Sequence, residues 1–144
     1  MNNEQGIKIF LVDDDALFLK ALEIEFAHET EYQVKTFATG ELCLAHLDEN
    51  PYLVVLDFHL SGIDKQAMNG IETLDKIKAY DPNISVVMLS SQDKIEVAVR
   101  CMHHKALDYI VKSETAFHRI QKNIHARIHY EKIERELNWY MTRM

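Results

Sequence analysis

Short apolar runs alternate along the chain with longer segments of helical period. Lys8-Ile-Phe-Leu-Val12 reads as a buried strand, and Ala16 to His28 carries Leu19, Leu22 and Phe26 at the spacing of one helix face. Tyr32 to Phe37 predicts a second strand and Gly40 to Asp48 a second helix, with Thr39 placed to cap it. Leu53-Val-Val-Leu56 is unbroken and branched, as a strand covered on both faces should be. A third helix is expected from Asn69 to Tyr80, where Asn69 and Glu72 approximate a capping box. Ile84 to Leu89 follows as a strand, Asp93 to His103 as a helix and Leu107 to Val111 as the last strand. Ser113 is the expected N-cap of a final helix, with Glu114 in its first turn, where a negative charge suits the helix dipole. Five such units predict an α/β fold with a doubly wound, five-stranded parallel sheet, because parallel neighbours need long crossovers of one hand. Ligands of such sheets bind beyond the C-terminal strand ends, at the switch in strand order.

The chain has 144 residues, 47% of them hydrophobic, which fits one globular domain. Its net charge of −7 argues against nucleic-acid binding by this chain, because counterion release needs clustered lysine and arginine. An output domain fused to it in a longer parent is compatible with that charge. Cys43 and Cys101 lie in apolar helical contexts without framework spacing, so buried free thiols are expected, as in a reducing cytoplasm. Met1 to Gln5 is polar and lacks the basic start of a signal peptide. No apolar run approaches the roughly 20 residues of a membrane span, so a cytoplasmic protein without membrane contact is expected.

The chemistry gathers where the strands end. Asp13, Asp14 and Asp15 finish the first strand, Asp57 the third, Ser90 and Ser91 the fourth, and Lys112 the fifth. Carboxylates brought together repel one another, and burial raises their pKa values. A hard divalent cation answers that repulsion, and Mg²⁺ takes one or two carboxylates together with water and phosphate oxygens. A carboxylate beside a metal and a lysine can attack phosphorus and form an aspartyl phosphate, with the cations neutralising charge on the transferring oxygens.

The Val12-Asp-Asp14 and Val55-Leu-Asp57 strand ends, with the Met88-Leu-Ser-Ser91 and Ala106-Leu-Asp-Tyr-Ile-Val-Lys112 segments, resemble the receiver domain of two-component response regulators over about residues 7–128. The resemblance implies a flavodoxin-like, three-layer (βα)₅ sandwich, with residues 1–128 as the receiver and 129–144 as a helical extension. It implies Asp57 as phosphoacceptor, Asp14 and Asp13 as Mg²⁺ ligands beside Asp57, and the His59 backbone carbonyl as a further ligand. Lys112 would bind the phosphoryl group, Ser90 would donate a hydroxyl hydrogen bond to it, and Tyr109 would be the aromatic switch, moving inward as Ser90 shifts. The implied donor is a phosphohistidine on a sensor histidine kinase or phosphotransfer protein. The implied output face is that of helix four, strand five and helix five, which, like the C-terminal helix, could also pair two copies in a homodimer, and the module regulates rather than acting mainly as an enzyme.

Three positions depart from the family pattern. Gly70 follows the acceptor by thirteen residues where eight is usual, so five residues are inserted within Leu60 to Met68, and Ser61 replaces a proline. Ser113 stands where the family often has a proline after a cis peptide, so the Lys112-Ser113 bond is either trans or a strained cis bond. Lys105 replaces a glycine that commonly precedes the alanine.

Beyond Ile128 a second stripe runs through Ala126, Tyr130, Ile133, Leu137 and Tyr140 at heptad spacing, for about two heptads. It reads equally as a dimerising helix leading to an output domain and as a helix that folds back or ends as a linker. Two other functions compete with the switch. A hydrolase forming an aspartyl phosphate of the haloacid dehalogenase kind needs an acid two residues after the nucleophile, and His59 stands there. A degenerate receiver that binds partners without phosphorylation is opposed by the intact acidic pair, acceptor and lysine.

Overall fold

The computed structural model describes residues 6–61 and 66–143. The elements are β1 (Ile7–Val12), α1 (Ala16–Ala27), β2 (Tyr32–Phe37), α2 (Gly40–Leu44), β3 (Leu53–Asp57), α3 (Gly70–Tyr80), β4 (Ser85–Ser90), α4 (Ile95–His103), β5 (Asp108–Val111) and α5 (Ala116–Thr142). All strand pairs are parallel, in the order β2-β1-β3-β4-β5. The order reverses between β1 and β3, which sets the switch point beside the C-terminal ends of those two strands. The inserted segment of the Asp57–Gly70 loop lies partly outside the described residues.

Strand alternation splits the core into two layers. Phe10, Val12, Val54, Leu56, Val86 and Met88 face one side and pack on Cys43, Leu47, Leu74, Ile77 and Cys101 from the α2–α4 layer. Ile9, Leu11, Leu53, Val55, Val87, Leu89 and Ile110 face the other side and meet Leu22 and Phe26 of α1 with Phe117, Ile120 and Ile124 of α5. Phe26 meets Tyr32 and Phe117 edge to face at 5.1 and 4.9 Å. Central strands covered on both faces must be apolar throughout, which is why β3 reads as one unbroken run. Cys43 and Cys101 are buried free thiols, as expected, and burial pushes them up to about 12 and about 11.

Three local expectations change. The second helix stops at Leu44 and gives way to a 3₁₀ turn at Leu47–Glu49, closed by Asn50 in the left-handed region at φ 58°. The fourth helix starts at Ile95, two residues later than expected. The last helix starts at Ala116 with Thr115 at its N-cap position, and its first turn carries no acid. Ser113 instead bends its own turn, its hydroxyl accepting the Thr115 N–H at 3.3 Å.

The family departures also resolve. No described peptide bond is cis, so Lys112-Ser113 is trans. Lys105 keeps the left-handed turn at φ 76° without glycine. A side chain there is strained by roughly 1–2 kcal/mol, partly offset by the lower unfolded-state freedom of a non-glycine residue. Lys105→Gly is therefore expected to stabilise the fold by roughly 0.5–1 kcal/mol. A urea midpoint equal to or below that of the parent would contradict this account of the turn.

The final helix runs 27 residues and leaves the domain after Ile128. Arg127 fastens it to the start of β4, donating to Asn83 O at 2.9 Å and to Ser85 Oγ, with Glu131 at 2.9 Å along the helix. Beyond that anchor Tyr130, Ile133, Leu137 and Tyr140 are exposed. No described helix is long and apolar enough to cross a membrane.

Candidate functional site

The sheet ladder runs one step past the strands and so gathers their polar ends. Asp13 N–H donates to Phe37 O at 3.0 Å, Phe58 N–H to Leu89 O at 2.8 Å, and Lys112 N–H to Ser90 O at 2.8 Å. These bonds carry Asp13, Asp57, Ser90 and Lys112 to one rim, above the switch point. Asp13 and Asp57 are each 2% exposed, and one carboxylate oxygen from each of Asp13, Asp14 and Asp57 lies within 4.8 Å of the others. A concavity of about 460 Å³ opens over them, lined by Asp14, Asp15, Ala16, Leu17, Asp57, His59, Ser91 and Lys112.

Lys112 Nζ sits 2.8 Å from Asp13 Oδ2 and 3.6 Å from Asp57 Oδ1, with its side chain 15% exposed. Burial pulls the ammonium down, but the hydrogen bond to Asp13 and the charges of Asp57, Asp13 and Asp15 outweigh it, so the group is raised and stays cationic. Asp57 goes the other way for a carboxylate. Burial and then the Asp13 charge push it up to about 7, against the opposing pull of Lys112 and the His59 N–H, which donates to Asp57 Oδ1 at 3.1 Å. One ammonium therefore does not neutralise the cluster.

The donor set fits a hard cation. Three carboxylates converge, and the buried Asp13 Oδ2 has the Lys112 ammonium at 2.8 Å as its partner among the described residues, which leaves further acceptor capacity on that oxygen. Only oxygen donors converge there, which suits Mg²⁺ rather than a thiolate- or imidazole-seeking metal. The His59 imidazole lies outside this acidic cluster and packs edge-on against Phe58 at 4.9 Å. The family role expected of His59 belongs to its main chain, which already meets Asp57 through the N–H.

Ser90 is fully buried at the end of β4, and its Oγ accepts the Gln92 N–H at 3.1 Å. Tyr109 is 8% exposed and donates its hydroxyl to the Gln92 carbonyl. The two residues expected to switch together thus meet at the main chain of one residue of the β4–α4 loop. No sequence signal points to Gln92, because only its backbone takes part. Asp15 stands out in the sequence only as part of an acidic run. Its Oδ1 caps α1 by accepting from Leu17 and Phe18 N–H at 3.1 and 3.3 Å.

A model of the response regulator receiver domain matches residues 9–125. Among curated proteins, the transcriptional regulatory protein ZraR of Klebsiella oxytoca is 32% identical over 112 residues, covering 78% of this chain and 24% of ZraR. The two-component response regulator ORR27 of Oryza sativa subsp. japonica is 31% identical over 114 residues, covering 76% of this chain and 17% of ORR27. The chain thus spans about a quarter or less of the length of these relatives. Among solved structures, the CheX-CheY-BeF₃-Mg²⁺ complex from Borrelia burgdorferi superposes with a TM-score of 0.72 at 25% identity, covering 85% of this chain and 89% of that one. The BeF₃-activated DrrB receiver domain gives a TM-score of 0.69 at 31% identity, covering 83% and 98%.

Proposed function

Since this chain belongs to the response regulator receiver family, we propose that it is a phosphorylation-dependent switch of a two-component system, with Asp57 as the acceptor. The observation that carries this reading is the buried Asp57 carboxylate, crowded by Asp13 and faced by Lys112 Nζ at 3.6 Å. Asp13, Asp14, Asp57 and the His59 carbonyl would hold Mg²⁺, in keeping with the BeF₃ and Mg²⁺ named for the similar CheX-CheY complex. When bound, the ion supplies positive charge that offsets the negative charge of the transferring oxygens.

The chain's own residues do the rest. An Asp57 carboxylate oxygen attacks phosphorus, the P–N bond of a phosphohistidine on a sensor kinase or phosphotransfer protein breaks, and the imidazole leaves. Lys112 meets the phosphoryl oxygens with its ammonium, and Ser90 turns its hydroxyl hydrogen toward them. The new group brings about −1.5 to −2 charge and fresh acceptors. As Ser90 moves, its bond to Gln92 N–H carries the β4–α4 loop with it, and Gln92 O holds Tyr109. The ring is already inward here, so phosphorylation would consolidate this arrangement rather than create it. The altered face of α4, β5 and α5 would then be read by a partner.

On this reading residues 1–128 form the regulatory module. The exposed stripe past Ile128 is a connector toward an output segment or a second copy. The buried thiols and the absence of a described membrane-crossing helix suit work in a reducing cytoplasm.

Acetyl phosphate and Mg²⁺ test the assignment by intact mass. The wild type is expected to gain one phosphoryl group, but none when the metal is chelated beforehand, and Asp57→Asn none. A wild type that gains nothing at times short enough to catch a labile adduct would favour the degenerate, phosphorylation-independent binding module.

A further inference from the structure

Three aspartates end β1, and the mechanism above uses two of them. The third begins a closed circuit of contacts. Asp13 Oδ1 accepts the Asp15 N–H at 2.9 Å. The Asp15 carboxylate caps α1 and accepts the Phe18 N–H at 3.3 Å. Phe18 is half-buried against the α1/α5 core layer, and its ring lies 4.9 Å from Lys112 Nζ, centroid to nitrogen. Lys112 Nζ returns to Asp13 Oδ2 at 2.8 Å.

A lysine ammonium on a flexible four-carbon stem amid several carboxylates and solvent has many ways to satisfy its charge. An aromatic face removes some of that freedom. It attracts the cation through its quadrupole, and more strongly where water is excluded. It offers no lone pair, so it leaves the three N–H donors to oxygen atoms. One donor serves Asp13, and the others remain for Asp57 and whatever Asp57 carries. The circuit also has a fixed origin, because the Asp15 cap sets the first turn of α1 and hence the height of the ring.

We propose that Phe18, set in place by the Asp15 cap, is a positioning residue for Lys112 that holds the ammonium where it meets a phosphoryl group on Asp57. This rests on the acceptor assignment made above. Phe18 stands one turn before Leu22 on the apolar face of α1, at the end of that face nearest the polar rim.

Two readouts test it in the full chain. The first is NMR of the lysine side chains without metal or phosphodonor. The Lys112 ε-methylene protons are expected upfield of the other lysines through the ring current, to return to the common range in Phe18→Leu, and to stay shifted in Phe18→Tyr. The second is the rate of phosphoryl uptake against acetyl phosphate concentration. Phe18→Leu is expected to lower the saturating rate by roughly three- to tenfold. The donor concentration at half-maximal rate and the Mg²⁺ requirement should change less than about twofold, and Phe18→Tyr should restore the rate. Phe18→Met, which also fills the space without a ring, takes the place of the leucine variant if that one does not fold.

Unmoved Lys112 resonances with a wild-type rate in Phe18→Leu overturn the proposal, and so does a tyrosine variant as slow as the leucine one. If the wild type takes up no phosphoryl group, the acceptor reading fails, and the lysine resonances alone decide whether Phe18 positions Lys112.

Discussion

Asp57→Asn is expected to melt at a higher temperature than the wild type in metal-free buffer at pH 8, and at about the same temperature near pH 4. The reason is the company Asp57 keeps. Its carboxyl rises from an ordinary 3.8 to about 7, first because burial disfavours its charge and then because Asp13 repels it. A carboxyl raised in this way binds its proton more tightly in the folded state than in the unfolded chain. Between pH 4 and 7 the native protein therefore holds a proton that the unfolded chain has lost, and stability falls as pH rises through that window. Above pH 7 the whole penalty is present. Three pH units set an upper limit of about 4 kcal/mol. The pull of Lys112 at 3.6 Å is already contained in that shift, and the asparagine amide still has to be buried with its own hydrogen bonds to satisfy, so a gain of about 1–3 kcal/mol is expected for the asparagine at pH 8. Mg²⁺ should raise the melting temperature of the wild type at pH 8, where it relieves the same repulsion, less at pH 5, and little for Asp57→Asn. A variant no more stable than its parent at pH 8, or one whose gain is the same at pH 4, would show that the acidic cluster stores no such energy.

Much of the molecule is legible from one dimension because apolar burial, which dominates the fold, repeats with the period of each strand and helix. The unbroken β3 run could only be a strand buried on both faces, and four strands that end in polar residues could only bring those residues to one rim. What stays hidden depends on local competition or on long reach. Ser113 has the chemistry of an N-cap, but its hydroxyl is used two residues on, so the helix starts later, after Thr115. The second helix is shorter than its pattern predicts because nothing in that pattern marks the left-handed Asn50 that ends the 3₁₀ turn. Arg127 looks like a residue beside a seam, whereas it reaches Asn83 and Ser85, over forty positions back. The tie between Ser90 and Tyr109 uses the backbone of Gln92, which any residue other than proline could supply. The pairing of Phe18 with Lys112 joins the first helix to the last strand, and no spacing rule relates them.

Gly70→Ala is expected to damage fold and site together, although helix propensity predicts the reverse. Gly70 opens α3, where alanine in place of glycine is ordinarily worth roughly 0.5–1 kcal/mol in favour of the helix. The surroundings decide otherwise. A Cβ at this position would stand 2.6 Å from Asp57 O, 2.7 Å from Phe58 Cα and 2.8 Å from Phe58 O. All three are backbone atoms at the end of β3, and that strand is locked between β1 and β4. No side chain can swing away. Either the first turn of α3 retreats, breaking the 3.3 Å bond from Gly70 N–H to Phe58 O, or the Asp57 main chain moves. Overpacking against a fixed backbone typically costs roughly 1–3 kcal/mol. A shift of about 1 Å in a reacting group can cost roughly a hundredfold in rate. Gly70→Ala should thus lose roughly 1–3 kcal/mol in urea titration. It should also take up phosphoryl groups from acetyl phosphate about ten- to a hundredfold more slowly, even where it is fully folded. This contact also explains how the long loop after Asp57 is tolerated. Whatever its length, the loop must deliver a residue without a side chain against the acceptor strand, and Gly70 does so thirteen residues on, where the family pattern needs eight. An alanine variant that is more stable and equally fast would mean that the α3–β3 contact yields freely, and that the acceptor is positioned from the β1 side alone.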